Sequence, residues 1–222
     1  MADDLLVIGD SHSAALFQAA QAQGYCADLL YISGNHWHEN RMLPDRQRGM
    51  SAAWRPGIER RVQDFAAAHG GRAFPADVPL LISAGYHLGR LAPLLQRPAG
   101  AVAVEQLSEQ FLRDWLAHHR GRLWRVLRLA SVRADMTVVA PPVVQESAVV
   151  ARLAGLITAE LRQFGLRVFD PREEGDWMSA PLPVALRAAD GVHGTVEYGA
   201  AVLGRLQQRG WLAGSGALIA AQ

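Results

Sequence analysis

Ser11, Asp190 and His193 supply a hydroxyl, a carboxylate and an imidazole in surroundings that suit joint chemistry. A neutral imidazole takes the proton of a serine hydroxyl and later returns it, while a carboxylate orients the ring and stabilises its charged form. Ser11 stands in Gly9-Asp10-Ser11-His12-Ser13, between an apolar run and a helical pattern opened by Ala14, Ala15 and Leu16. A serine on such a strand-to-helix turn has its hydroxyl lifted clear of the sheet, where backbone N–H groups and the helix dipole favour negative charge. Acyl transfer needs that placement, because its tetrahedral intermediate carries an oxyanion beside the nucleophile. Asp190 and His193 lie in Ala189-Asp190-Gly191-Val192-His193-Gly194-Thr195, where a turn can hold the carboxylate beside the ring. Each block alone has a plainer explanation: a helix N-cap for Ser11 or Ser13, a turn aspartate, a helix-start histidine.

The elements that must position these groups follow from the apolar pattern. Short runs rich in Leu, Val and Ile alternate with helical periodicity, as in a parallel sheet covered on both faces. Strands are expected at residues 4–9, 28–33, 79–83, 136–140 and 167–169, and helices at 13–23, 57–69, 104–117, 121–134, 146–164 and 196–208. The stretches 34–56 and 170–194 read as long functional loops. In a parallel α/β sheet the reacting groups gather at the carboxyl ends of the strands. Ser11, Gly34, the segment 85–87 and the Pro141-Pro142 turn all fall there.

The two blocks together resemble the SGNH (GDSL-like) hydrolases, with Gly-Asp-Ser on the first strand and Asp-x-x-His before the last helix. The resemblance runs from Val7 to about Tyr198. It implies a three-layer α/β/α sandwich with a parallel sheet of about five strands, the flavodoxin-like SGNH hydrolase fold, as one domain over residues 1–222. It also implies a serine esterase with Ser11 as nucleophile, His193 as base and Asp190 as its orienting acid. By the same resemblance Gly34 supplies an oxyanion N–H beside that of Ser11. The asparagine block of the family is absent: the sequence reads Ser83-Ala84-Gly85-Tyr86-His87, so His87 is the expected third donor, with Tyr86 the other choice. The Gly-Asp-Ser-His variant is similar to SGNH domains acting on O-acyl groups of glycans, which makes an O-acetylated sugar or another small acyl ester the expected substrate. Asp10, His12, Trp37 and Tyr86 are expected to contact it. An O-acyltransferase with the same triad, or a non-catalytic domain holding a partner in the pocket, are the alternatives.

Composition bounds the remaining classes. With 222 residues, 50% hydrophobic and 19% charged, the chain can build one sizeable core. Its formal charge is +1 and its basic residues, all arginine, are spread along the sequence without a nucleic-acid-reading module, so no nucleic-acid partner is expected. Cys26 is the only cysteine, which leaves the redox compartment open. Asp3 and Asp4 stand where a signal peptide would carry positive charge, and no apolar run reaches membrane-spanning length. A cytoplasmic location and no membrane partner are therefore expected. His36-Trp37-His38-Glu39 brings two imidazoles and a carboxylate close together. Zinc needs three or four convergent ligands and alternate loop residues point apart, so no metal or cofactor is expected. The run reads instead as a mobile loop over the pocket, with Trp37 and Trp54 free to stack on a substrate.

Overall fold

The structure, a computed structural model, describes residues 4–38, 41–52, 54–99, 106–144, 147–175 and 181–212. Five parallel strands, β1 (Asp4–Gly9), β2 (Cys26–Tyr31), β5 (Leu80–Ser83), β6 (Met136–Val139) and β7 (Arg167–Phe169), form one sheet in the order β2-β1-β5-β6-β7. A separate antiparallel hairpin joins β3 (Met42–Asp45) to β4 (Gly49–Ala52). The helices are α1 (Ser13–Ala22), α2 (Gly34–His38), α3 (Pro56–Ala68), α4 (Leu88–Ala99), α5 (Glu109–Arg133), α6 (Ala148–Gln163) and α7 (Val196–Gln208).

Strand alternation divides the core into two layers. On β1, Leu5 and Val7 point toward α1 and α7 and share a buried cluster with Leu16, Ala19, Val202 and Leu203. Leu6 and Ile8 point the other way, into a larger cluster with residues of α3, α4, α5 and α6. This period of two on a strand covered on both faces explains why the strand reads as an uninterrupted apolar run. Each core leucine contributes a few kcal/mol, since truncating one to alanine typically costs about 2–5 kcal/mol.

The chain departs from the sequence expectations in three places. The expected breaks between 117 and 121 do not occur, and α5 runs continuously through Gly121, placing His118 and His119 inside a helix rather than at its end. A glycine in a helix costs about 1 kcal/mol. Burial of Leu112, Leu116, Leu123, Leu127 and Ala130 along one face outweighs it. Second, α4 forms despite Pro93, because Leu88, Leu91 and Leu95 supply a buried stripe. Third, residues 34–52 are not an irregular loop: they hold α2 and the hairpin, with Trp37, Met42 and Met50 in the core. The start of the expected helix at residue 104 and the tail from 214 lie outside the described residues.

Candidate active site

Strand order reverses at β1, which has β2 on one side and β5 on the other. Chain connections leave such a point in opposite directions and open a crevice at the carboxyl end of the sheet. Ser11 follows β1, Gly34 follows β2, His87 follows β5 and Pro141 follows β6, and all four line one cavity of about 610 Å³.

The Gly9–Ser13 turn is held from within. Asp10 is 5% exposed; its Oδ1 accepts the His12 N–H at 2.9 Å, and its carbonyl accepts the Ser13 hydroxyl at 2.5 Å. Ser13 is thus a buried anchor of the turn, whereas His12 occupies the N-cap position of α1. Ser11 is left with its hydroxyl at the cavity and its N–H without an acceptor among the described residues.

Asp190 builds the opposing turn. Its Oδ1 accepts the N–H groups of Val192 and His193 at 2.9 and 3.0 Å, and its Oδ2 lies 2.6 Å from His193 Nδ1. Backbone bonds from Ala188 N–H to His193 O and from Thr195 N–H to Leu186 O close the loop, and the Thr195 hydroxyl caps α7. The other ring nitrogen, Nε2, lies 2.6 Å from Ser11 Oγ. The hydrogen bonds that Asp190 accepts from the His193 ring and from two backbone N–H groups hold its carboxyl far below the usual carboxylate range. An ionised Asp190 accepts Nδ1–H, which leaves the Nε2 lone pair facing the serine hydroxyl.

Registration of the two turns comes from the helices behind them. α1 and α7 pack so closely that a Cβ on Gly199 would stand 2.2 Å from the Ala15 carbonyl oxygen. Only glycine admits this approach, and it joins the helix following Ser11 to the helix following His193.

A second aspartate–histidine pair sits deeper. His87 Nε2 lies 2.7 Å from Asp10 Oδ2, and both side chains are 7% exposed. Burial pushes the Asp10 carboxyl up, but the hydrogen bond with His87 and the charges of His12 and His87 outweigh it and leave it below its ordinary value. The ring edge of His87 also lies against Gly34, where a Cβ would come within 2.9 Å of His87 Cδ2. The His12 ring lies 4.7 Å from the His193 ring at a tilt, and burial lowers its basicity.

The expected site residues therefore divide. Asp10, Ser11, His12, Gly34, His87 and His193 line the cavity, with Asp190 behind His193. Trp37 does not line it: it is 1% exposed and donates its indole N–H to the Ile32 carbonyl, because α2 turns the ring into the core. Trp54 is 92% exposed and also lies away from the cavity. Tyr86 is no substrate contact either. Its side chain points beneath the sheet edge, where its hydroxyl meets Thr158 Oγ1 at 2.8 Å, and Thr158 in turn donates to Asp170. The Tyr86 carbonyl is held by the buried Arg120 guanidinium at 3.2 Å, whose pKa desolvation pushes down to about 10. His87 differs from expectation in its aim: Nε2 faces Asp10 and both ring nitrogens are buried, so neither is presented to the cavity as an oxyanion donor. Of the His36–Glu39 run, Glu39 lies outside the described residues and His36 does not line the cavity.

Three lining features were not anticipated as contacts. Asn35 and Arg90 stand at the rim, and Val143, Val144, Val150 and Val192 form an apolar wall. Position after a strand signalled Asn35, Val143 and Val144. Arg90 was legible only through the leucine spacing that reveals α4.

No family model and no curated protein matches the chain. Solved structures do. A lipase, Lip_vut3, from a goat rumen metagenome aligns over 96% of this chain and 99% of its own at 10% identity, with a TM-score of 0.50. A GDSL-like lipase from Bacteroides thetaiotaomicron covers 94% and 87% at 13% identity and a TM-score of 0.47. The psychrotrophic esterase EstA from Pseudoalteromonas sp. covers 93% and 97% at 13% identity and 0.44. The chain shares the fold of the goat-rumen lipase, a five-stranded parallel sheet with helices on both faces. Within that fold the five-stranded parallel sheet is as expected, whereas the third sequence block, Gly85-Tyr86-His87, is built around a buried Asp10–His87 pair.

Proposed function

We propose that this chain is a serine-dependent ester hydrolase acting on a small O-acyl ester, with an O-acetylated sugar as one substrate class. The observation that carries the reading is the continuous chain Asp190 Oδ2, His193 Nδ1, His193 Nε2, Ser11 Oγ, with 2.6 Å at both contacts. The cavity at its end, walled by valines and prolines, supports an acyl group as the bound moiety.

Ser11 Oγ attacks the ester carbonyl carbon while His193 Nε2 takes its proton. Asp190 stabilises the resulting imidazolium without itself becoming protonated. The new oxyanion is received by the N–H groups of Ser11 and Gly34, neither of which donates to a described backbone group. His193 returns the proton to the leaving alcohol, and water, activated by the same ring, hydrolyses the acyl-serine. His87 enters as a positioning residue: it braces Asp10 and the Gly34 backbone from behind. Lacking a side-chain donor, two-point stabilisation predicts a modest kcat, because one donor is typically worth about 10²–10³ in rate.

The test is reaction with a fluorophosphonate followed by peptide mapping, paired with hydrolysis of 4-nitrophenyl acetate. Ser11 is expected to carry the label and Ser11→Ala to lose both signals while keeping its fold. Turnover by a folded Ser11→Ala protein would overturn the assignment.

A further inference from the structure

The cavity wall alone suits any short aliphatic acyl group, but one lining residue does not fit that description. Arg90 lies on the first turn of α4, lines the cavity, and makes no hydrogen bond or ion pair with any described residue. Seven other arginines, Arg48, Arg113, Arg162, Arg167, Arg172, Arg205 and Arg209, each face a carboxylate; Arg55, Arg60 and Arg61 face none among the described residues, but they lie on the exposed surface away from the cavity. Among the described residues Asp10 is the only acidic one lining the cavity, and it is buried and already occupied by His87 and the His12 N–H.

Arg90 is exposed, and the electrostatics at its position favour an anion. A helix N-terminus carries partial positive charge, so a cation there is disfavoured where an anion would be welcome. The N–H groups of Leu88 and Gly89, the first two of α4, also donate to no described backbone group. Guanidinium, free N–H groups and helix dipole thus add at the α4 end of a cavity that also holds Ser11, His193 and an apolar stretch of valines and prolines. A bound anion would relieve the repulsion and be held by a charge-assisted, potentially bidentate contact.

We propose that the ester accepted here bears an anionic group, a carboxylate or a phosphate, that Arg90 binds at the α4 end of the cavity. The inference rests on the ester hydrolase reading for its catalytic consequence, yet the anion subsite itself is testable without turnover.

Two substrate pairs locate the charge. 4-Nitrophenyl hemiglutarate against 4-nitrophenyl butyrate places it on the acyl side, and 4-acetoxybenzoate against phenyl acetate places it on the alcohol side. In the wild type, kcat/KM is expected to favour the anionic member of one pair, and Arg90→Gln to cut that preference by about fivefold to tenfold, the range between an exposed and a partly desolvated ion pair. Arg90→Glu should reverse it. Arg60→Gln, an equal charge change on exposed α3, should leave the ratio as in the wild type. Binding of monomethyl glutarate to Ser11→Ala protein, followed by NMR titration, should weaken by a similar factor when Arg90→Gln is added. If neutral esters are hydrolysed and neither ratio nor binding responds to Arg90, the anion subsite is refuted and the hydrolase reading stands. If no ester is hydrolysed but Arg90-dependent binding persists, the hydrolase reading fails and the subsite stands.

Discussion

Two aspartate–histidine pairs border the same cavity and differ chiefly in their access to water. In the Asp190–His193 pair the side chains are 51% and 26% exposed, and the aspartate makes its own turn three residues from its partner. The Asp10–His87 pair is sealed, and its members come from the ends of two neighbouring strands, β1 and β5. An exposed pair contributes little to folding, since solvent screens it, so its geometry must be kept for another purpose. A buried pair offsets a large desolvation cost only while both partners are present, so losing either one is destabilising. One histidine therefore has a partner that tunes its chemistry, and the other has a partner that fixes its place.

The contrast is easiest to break at the exposed pair. Asp190→Asn keeps the shape but removes the ionised acceptor of Nδ1–H, and is expected to lower kcat by about 10³–10⁴ through the wrong ring tautomer. Its thermal midpoint should stay within a degree or two. A large loss of midpoint with little loss of kcat would invert the comparison.

Asp10→Ala should do the opposite in emphasis. Leaving His87 buried without its partner is expected to cost about 3 kcal/mol, read as a fall in urea midpoint at unchanged slope. Some activity is lost as well, because the turn carrying Ser11 relaxes. Retention of full stability would show the pair to be dispensable.

The same pair predicts an acid limb of stability. The folded-state pKa of Asp10 lies below its unfolded value, so its contribution is fully present above the unfolded pKa, near ~3.9, and is lost as pH falls through the lower folded value. Urea midpoints of the wild type should therefore decline as pH falls below about 4, and the decline should be shallower in Asp10→Asn. An equal slope in both would assign the acid limb to other carboxylates such as Asp170, whose pKa is also held low by Arg172 and Thr158 against the cost of its burial.

Smaller effects bound the site. Tyr86→Phe deletes the hydroxyl bonded to Thr158 and should cost about 1 kcal/mol of stability with kcat nearly unchanged, as its ring lies outside the cavity. Trp54→Ala should alter neither quantity measurably, since exposed substitutions away from special features usually stay within about 0.5 kcal/mol.

The same division marks what could be read from the residues alone. The Ser11 and Asp190–His193 turns were legible because each is local: a strand end with a helix start, and an aspartate whose partners lie within three residues. The limits of β1, β7 and α7 follow from sharp changes of apolar period at their ends. Side-chain direction in the third block was not legible. Whether His87 faces the oxyanion or Asp10 depends on where β5 sits beside β1, and whether Tyr86 faces substrate or Thr158 depends on α6, seventy-two positions away in the chain. Likewise His118-His119-Arg120-Gly121 reads as a solvated break by composition, whereas Arg120 turns inward there and its guanidinium holds the Tyr86 carbonyl.

The pairing of α1 with α7 has a consequence for biosynthesis. Ser11 and His193 are 182 positions apart in the chain, yet their side chains meet. At about 5–20 residues per second, translation leaves the serine without its base for roughly ten to forty seconds. A chain stalled before residue 193, or cut between the two turns so that α7 departs, therefore carries Ser11 without the imidazole beside it. In the proposed esterase, reactivity toward ester mimics would report the docking of α7, and a nascent chain could not acylate itself or its neighbours before that step.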